Sequence, residues 1–305
     1  MSLALSVVVP TYNRLATLGR VLSALDAQEC GADFEIVVVV DGSTDGTAAW
    51  LGRQRPRHSL TVIEQDNAGP AGARNRGIAA AAGRWIALLG DDTIPDRRWA
   101  MMHLEAHRRR GNPDDLAVVG HTRWHERLPR TRFMSYINDY GPQFGYALID
   151  DPEDVPFNFF YASNLSLPRL LLEVETFHEG FADAAWEDVE LGYRLQQRGL
   201  RLVYEPRAEA RHDHEVDLRS FARRQERVGN AAGTFYALHP ELGDFLALSP
   251  DGPPPLPSPL RRAVLERVAL LTERWPISTP RLWRRVLADH YLEGLHRGWR
   301  GGTAP

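Results

Sequence analysis

The run EIVVVV at residues 35–40 has no polar alternation, so a strand formed by it must be buried on both faces. Such strands belong to parallel sheets covered by helices on either side. The neighbouring segments agree with that demand. Residues 5–9 (LSVVV) form a β-branched run that Pro10 is expected to stop, 60–64 a third strand, and 85–89 (WIALL) a fourth. Residues 17–27, 45–53 and 72–82 read as the intervening helices. The first carries Leu18, Val21, Leu22 and Leu25 at helical spacing, and Asp45 stands where it would cap the second. Strand and helix alternating at this interval predict an α/β fold with a doubly wound, mostly parallel sheet and flanking helices.

Further along, residues 120–160 are rich in aromatics, Pro, Asn and Asp and show no period. Residues 165–175 and 186–198 read as helices, 200–204 as a strand and 219–238 as a helix. The stretch SPDGPPPLPSPL (249–260) is a proline-rich linker, followed by amphipathic helices at 261–274 and 280–297 and a frayed tail past Trp299. The expected division is a main domain over 1–214, a helical extension over 215–248, the linker over 249–260 and a C-terminal helical segment over 261–305. No stretch approaches the ~20 apolar residues that a membrane span requires. The first residues read as a strand, not as a leader, and the lone Cys30 excludes a disulfide framework. A cytoplasmic protein is expected, with peripheral contact at the inner face of a membrane left open. All 36 basic residues are arginine, which removes P-loop and Schiff-base chemistry. A net charge of −4 without a basic block argues against nucleic-acid binding.

In an open α/β sheet, ligands bind beyond the carboxyl ends of the strands. Four polar or glycine-rich segments fall there: PTYNR (Pro10, Thr11, Tyr12, Asn13, Arg14), DGSTDGT beginning at Asp41, NAGPAGARN containing Arg74, and GDDT containing Asp91 and Asp92. Adjacent carboxylates at a strand end repel each other unless a cation or strong donors intervene. A divalent ion shared with phosphate oxygens meets that need, although Asp also suits a turn or a cap. Asp41 could accept a hydrogen bond from a base or ribose or simply make the turn. Arg74 could contact base or phosphate or sit on the surface. Glu187 and Asp188 open an amphipathic helix, where acidic residues complement the macrodipole and where a general base could also face a cleft. His212 and His214 could supply a metal ligand or be loop histidines.

The ordered motifs SVVVPTYNR, EIVVVVDGSTDGT, NAGPAGARNRGI, WIALLGDDTIPDRRW, ASNLSLPR and WEDVELGYRLQQRGLRLVYEP resemble the inverting family 2 glycosyltransferases, which have the GT-A fold. The resemblance spans residues 6–214, with a weaker echo in RSFARRQERVGNAAG. It implies a nucleotide-diphosphate sugar as donor, a carbohydrate, lipid-linked or small-molecule hydroxyl as acceptor, and Mn2+ or Mg2+ as cofactor. By the same resemblance the PTYNR segment binds the donor, with Thr11 and Asp41 on the base and Arg74 beside it. Asp91 takes the ribose or the metal, and Asp92 the metal. Asp188 is the base that deprotonates the acceptor, with Glu187 next to it. His212, or His214 in its place, adds a metal ligand, and Asn164 and Ser166 line the acceptor side. The usual D-x-D is here only GDDT, so the division of labour between Asp91 and Asp92 stays open. Residues 120–160 match nothing specific and are expected to form an acceptor-side loop, partly mobile without substrate, whose aromatics either suit a sugar or apolar acceptor or are core beneath the loop. A retaining transferase similar to mannosylglycerate synthases, or a non-catalytic nucleotide-sugar-binding protein, are the alternatives.

Overall fold

In the computed structural model, which describes residues 3–181, 184–273 and 279–299, the apolar runs become β1 (Leu5–Thr11), β2 (Phe34–Asp41), β3 (Ser59–Gln65) and β4 (Trp85–Leu89). They pair in parallel in the order β3-β2-β1-β4. Helices α1 (Leu15–Asp26), α2 (Thr47–Leu51) and α3 (Gly69–Ala80) make the connections. All eight residues of β2 are buried, as a strand without polar alternation requires. β1 continues through Pro10 instead of stopping there. Pro10 is in register with Val39 next to the strand's last residue, so its missing N–H costs the ladder little. The second helix is short, with Gly46 at its cap, and Asp45 Oδ1 accepts a hydrogen bond from Thr47 N at 3.2 Å.

Beyond β4 the sheet grows by β5 (Thr93–Pro95), β6 (Leu116–Trp124), β7 (Asn164–Pro168) and β8 (Arg201–His212). The full order is β3-β2-β1-β4-β7-β6-β8-β5, with β7 antiparallel to both β4 and β6, β5 antiparallel to β8, and the other pairs parallel. The result is a mixed, mostly parallel sheet, flanked here by α4 (Trp99–Arg109), α6 (Arg169–Val174) and α7 (Glu187–Gln197). Two expectations fail in this half. Residues 165–175, expected to be helical, begin as β7. Leu165 and Leu167 alternate with the equally buried Asn164 and Ser166 between two strands, and pairing overrides helix propensity. Residues 120–160 are not one open loop: they hold the end of β6, α5 (Arg132–Asp139) and buried Trp124, Phe133, Phe144 and Tyr146. These aromatics are core. A register shift at Gly120/His121 breaks the period that would have shown the strand.

The chain divides into two compact units. The first comprises Met1–Leu128, Tyr146–Glu179 and Glu187–His214 and contains the whole sheet. The second comprises Pro129–Gly145, Gly180–Trp186 and Glu215–Pro305. It contains α5, α8 (Leu218–Leu238), α9 (Gly243–Leu246), α10 (Pro259–Glu273) and α11 (Pro280–Gly298). Asp217 and Ser220 form a reciprocal capping box at the start of α8. Backbones of α8 and α11 approach so closely that a Cβ on Gly294 would lie 2.0 Å from the Glu226 carbonyl oxygen. Phe133, Phe221, Phe235 and Trp283 fill the core of this unit. Arg274, expected to end α10, and the tail past Trp299 lie outside the described residues. Among the described residues no helix is long and apolar enough to cross a membrane.

Candidate active site

The strand order β3-β2-β1-β4 reverses direction between β1 and β4, and at such a point the carboxyl ends of two strands open a crevice. Thr11, the last residue of β1, donates its hydroxyl to Asp91 Oδ2 at 2.8 Å, so the residues after β1 and β4 meet there. Arg14 reaches the same place: its NH1 donates to Asp92 Oδ2, and its Nε lies 3.9 Å from Asp91 Oδ1. Burial, and then the charge of Asp92, push Asp91 up to about 7. Burial presses on Asp92 too, but the imidazole of His212 and the guanidinium of Arg14 hold it well below the usual carboxylate range. One carboxylate of the pair therefore keeps its charge at the expense of the other.

β8 runs antiparallel to β5 with Thr93 opposite His212, which brings His212 Nε2 to 3.4 Å from Asp92 Oδ1. His214 is exposed, its ring centred 5.9 Å from that of His212. His212 touches the carboxylate pair, and the charge of His214 also acts on Asp92. Asp213 between them turns the other way, into the protein. Its side chain is fully buried, Oδ2 accepting from Arg20 Nε at 2.6 Å and Oδ1 from Arg127 Nε. Its backbone N–H donates to the Asp92 carbonyl at 2.7 Å. Asp213 was not legible in the sequence, because Arg20 lies 193 residues away.

The other loops are fastened to one another. Asn13, at φ 52°, donates its N–H to Ser43 Oγ at 3.0 Å and accepts from Thr44 N at 2.7 Å. Tyr12 is exposed beside it, and Pro10 is partly covered. Asp41, at the end of β2, is buried and accepts at Oδ1 from Gln65 Nε2 and Ala68 N, both at 2.8 Å. Gln65 is a further residue of this edge that the sequence did not single out, and Ala68 belongs to the NAGPAGARN segment already placed there. Arg74, expected beside the base, donates from NH1 to buried Glu187 at 2.7 Å, and its guanidinium lies over the ring of Phe177.

Asp188, half-buried at the start of α7, accepts from Ala162 N at 3.1 Å and from Val189 N at 2.9 Å. Burial, and then the charge of Glu187, push it up to about 6, against the pull of Arg74. Leu89 is opposite Asn164 in the β4–β7 pair, and Gly90 N donates to the Ser163 carbonyl at 3.2 Å. Ala162 therefore lies beyond the carboxyl end of β4, and Asp188 shares the sheet edge with Asp91 and Asp92. Asn164 and Ser166 do not line a cleft. Both side chains are wholly buried beneath α4: Asn164 Oδ1 accepts from Trp99 Nε1 at 2.7 Å, and Ser166 Oγ lies 2.9 Å from ring nitrogens of both His103 and His107. Residues at alternate positions of a central strand point into the layers that cover it.

The donor chemistry at Asp92 and His212 suits a divalent cation. A carboxylate oxygen and an imidazole nitrogen lie 3.4 Å apart, and a second carboxylate beside them is pushed toward neutrality by burial and by the charge of Asp92. Arg14 partly supplies that charge. Among the described residues a trio, Glu226, His290 and Glu293, has ligand atoms within 4.8 Å of one another. That trio belongs to the second unit and is engaged in ion pairs with Arg262 and Arg297.

The sequence profile of glycosyl transferase family 2 matches residues 6–161, just over half of the 305 residues. The chain belongs to glycosyl transferase family 2. This family 2 chain is 30% identical over 268 residues to validoxylamine A glucosyltransferase of Streptomyces hygroscopicus subsp. jinggangensis, covering 78% of the chain and 61% of that protein. It is 27% identical over 263 residues to pre-mycofactocin glycosyltransferase of Mycobacterium tuberculosis, covering 80% of the chain and 50% of that protein. The chain thus spans roughly half to three fifths of the length of these relatives. Its fold is that of solved GT-A structures. The mannosyltransferase PcManGT from Pyrobaculum calidifontis, in complex with GDP-Man and Mn2+, superposes with a TM-score of 0.64 at 20% identity, over 98% of this chain and 88% of the other. Staphylococcus aureus TarS 1–349 in complex with UDP-GlcNAc gives a TM-score of 0.53 at 16% identity, over 97% and 92%.

Proposed function

We propose that the family 2 chain transfers a sugar from a nucleotide-diphosphate donor to a hydroxyl acceptor with inversion, using Asp188 as the general base. The observation that carries this reading is the position of Asp188. It stands on a helix start at the same sheet edge as Asp91 and Asp92, with its proton affinity raised to about 6. A base poised near the working pH is ionised yet still basic enough to take a proton. Both of its oxygens accept backbone N–H bonds, which fix the carboxylate in place while leaving lone pairs for an acceptor hydroxyl.

On the donor side, Thr11, Asn13, Arg14 and Asp41 hold the loops after β1 and β2, and the base and ribose are assigned to that edge. Asp92 and His212 would hold Mn2+ or Mg2+, with Asp91 adjoining. Such an ion supplies positive charge to the diphosphate leaving group. Arg74 is assigned to Glu187, where it sets the charge around the base. The division between a catalytic first unit and a helical second one belongs to the same proposal. The donors and ion held by the solved GT-A structures, GDP-Man with Mn2+ in one and UDP-GlcNAc in the other, support the substrate class.

The test begins with melting curves against UDP-, GDP- and dTDP-sugars with and without Mn2+, since a ligand bound only by the folded state raises its stability. Transfer with the stabilising donor is then followed by proton NMR. An anomeric configuration opposite to the donor's is expected, and a retained configuration overturns the role of Asp188 as base.

A further inference from the structure

Helix α10 wears its apolar side chains on the outside. Leu260, Val264, Val268 and Leu271 are 77%, 51%, 44% and 65% exposed, and only Ala269 of this helix is fully buried. Their spacing of four, four and three residues sets them on one face. At 1.5 Å per residue the stripe is about 16 Å long. Arg261 and Arg267 are exposed, and at 100° per residue they fall on opposite edges of the stripe. The two acids of the helix are turned elsewhere. Glu273 Oε1 accepts from Leu218 N at 2.9 Å, and Glu266 Oε2 lies 3.8 Å from His290 Nε2. The outward face of α10 is therefore apolar along its middle and cationic at both edges, and neither acid of the helix lies on it.

We infer that this face docks the protein on an anionic phospholipid surface. A helix with an apolar stripe and flanking arginines lies in the plane of the headgroups, its stripe sunk into the acyl boundary and its guanidinium groups against phosphates. Charge selects this occupant over a second copy of the chain. Pairing two such faces about a two-fold axis would set arginine edges of one copy beside those of the other. A bilayer with anionic lipids offers apolar depth and negative charge together. The inference does not depend on the transfer reaction, because its readout is lipid binding alone.

The experiment is sedimentation of the full 305-residue chain with vesicles of phosphatidylcholine, with and without phosphatidylglycerol. Binding is expected on the anionic vesicles and should fall steeply with salt. Val264→Glu with Leu271→Glu, and separately Arg261→Gln with Arg267→Gln, should each weaken it by about tenfold or more. All four positions are exposed, so circular dichroism and melting should match the parent. A parent that stays in the supernatant with anionic vesicles overturns the inference, as does a glutamate variant that sediments like the parent. A parent that is dimeric by light scattering and becomes monomeric in the glutamate variant gives the face to a second copy and overturns it equally.

Discussion

Replacing Glu187 by Gln tests the electrostatics of the proposed base without touching the base itself. Burial and then the negative charge of Glu187 lift Asp188 from the ordinary 3.8 to about 6, while Arg74 and two backbone N–H groups oppose the rise. A base with that value is ionised in only about one molecule in eleven at pH 5, and in about ten in eleven at pH 7. Turnover of the parent should therefore fall about tenfold from pH 7 to pH 5, where an ordinary carboxylate would show almost no change. Glu187→Gln removes the second largest cause of the rise and frees Arg74 to act on Asp188 alone. Both effects have the same sign, so the acid limb should move below pH 6 toward 3.8. The assay is kcat against pH at saturating donor and Mn2+, conditions that report the groups of the bound complex. In Asp188→Asn the limb should vanish and kcat should drop by roughly 10²–10⁴. The amide can accept from Ala162 N or Val189 N but not both, which costs about 1–2 kcal/mol and a few degrees of melting temperature, not the fold. An acid limb that stays in place in Glu187→Gln, or normal turnover in Asp188→Asn, refutes the reasoning.

Two further outcomes concern the metal side. UDP or GDP should bind more tightly with Mn2+ than with EDTA; Asp92→Ala should erase that difference and His212→Ala should reduce it, while His214→Ala, whose ring is exposed, should leave it near the parent. Isothermal titration checks all three, and an effect of His214→Ala larger than that of His212→Ala would reverse the choice of ligand. Asp213→Asn keeps the shape but loses the charge that Arg20 and Arg127 clamp, and positioning groups behind a ligand are worth about 10–100-fold in metal affinity. The Mn2+ concentration for half-maximal activity should rise within that range while kcat at saturating Mn2+ stays at the parent value; a fall in kcat alone would deny the positioning role.

What the sequence made legible follows from the range over which each signal acts. The strands of the first half announce themselves through unbroken apolar runs, and their carboxyl-end loops through residues only a few positions further on. PTYNR, DGST and GDDT are thus placed at one edge by local pattern alone. β7 could not be read the same way. NLSLP has the alternation of a strand, yet it precedes RLLLEV, whose apolar spacing is helical, and only the presence of β4 on one side and β6 on the other decides between them. Nor does the local pattern show which surface Asn164 and Ser166 face. The family resemblance set them on the acceptor side, whereas they are buried and satisfied by Trp99, His103 and His107 from a helix about 60 residues earlier in the chain. The same distance in sequence hid the clamp on Asp213. A buried polar residue and a cleft residue look alike in one dimension, because what separates them is the partner. The partners of Thr11, Glu187 and Asp213 lie 80, 113 and 193 residues away in the chain. Candidate residues at a strand end can be nominated from local pattern, but the groups that set their charge must be found in space, and here arginines stand among them beside His212 at Asp92 and Glu187 at Asp188. Arg14 sits against Asp91 and Asp92, Arg74 beside Glu187 and Asp188, and Arg20 and Arg127 on Asp213. An all-arginine chain gains fixed positive charge at each of these points, since guanidinium does not give up its proton as a buried lysine can. Arg74→Lys is therefore no neutral exchange: it would put a titratable ammonium beside the proposed base, whose charge state it would help to set.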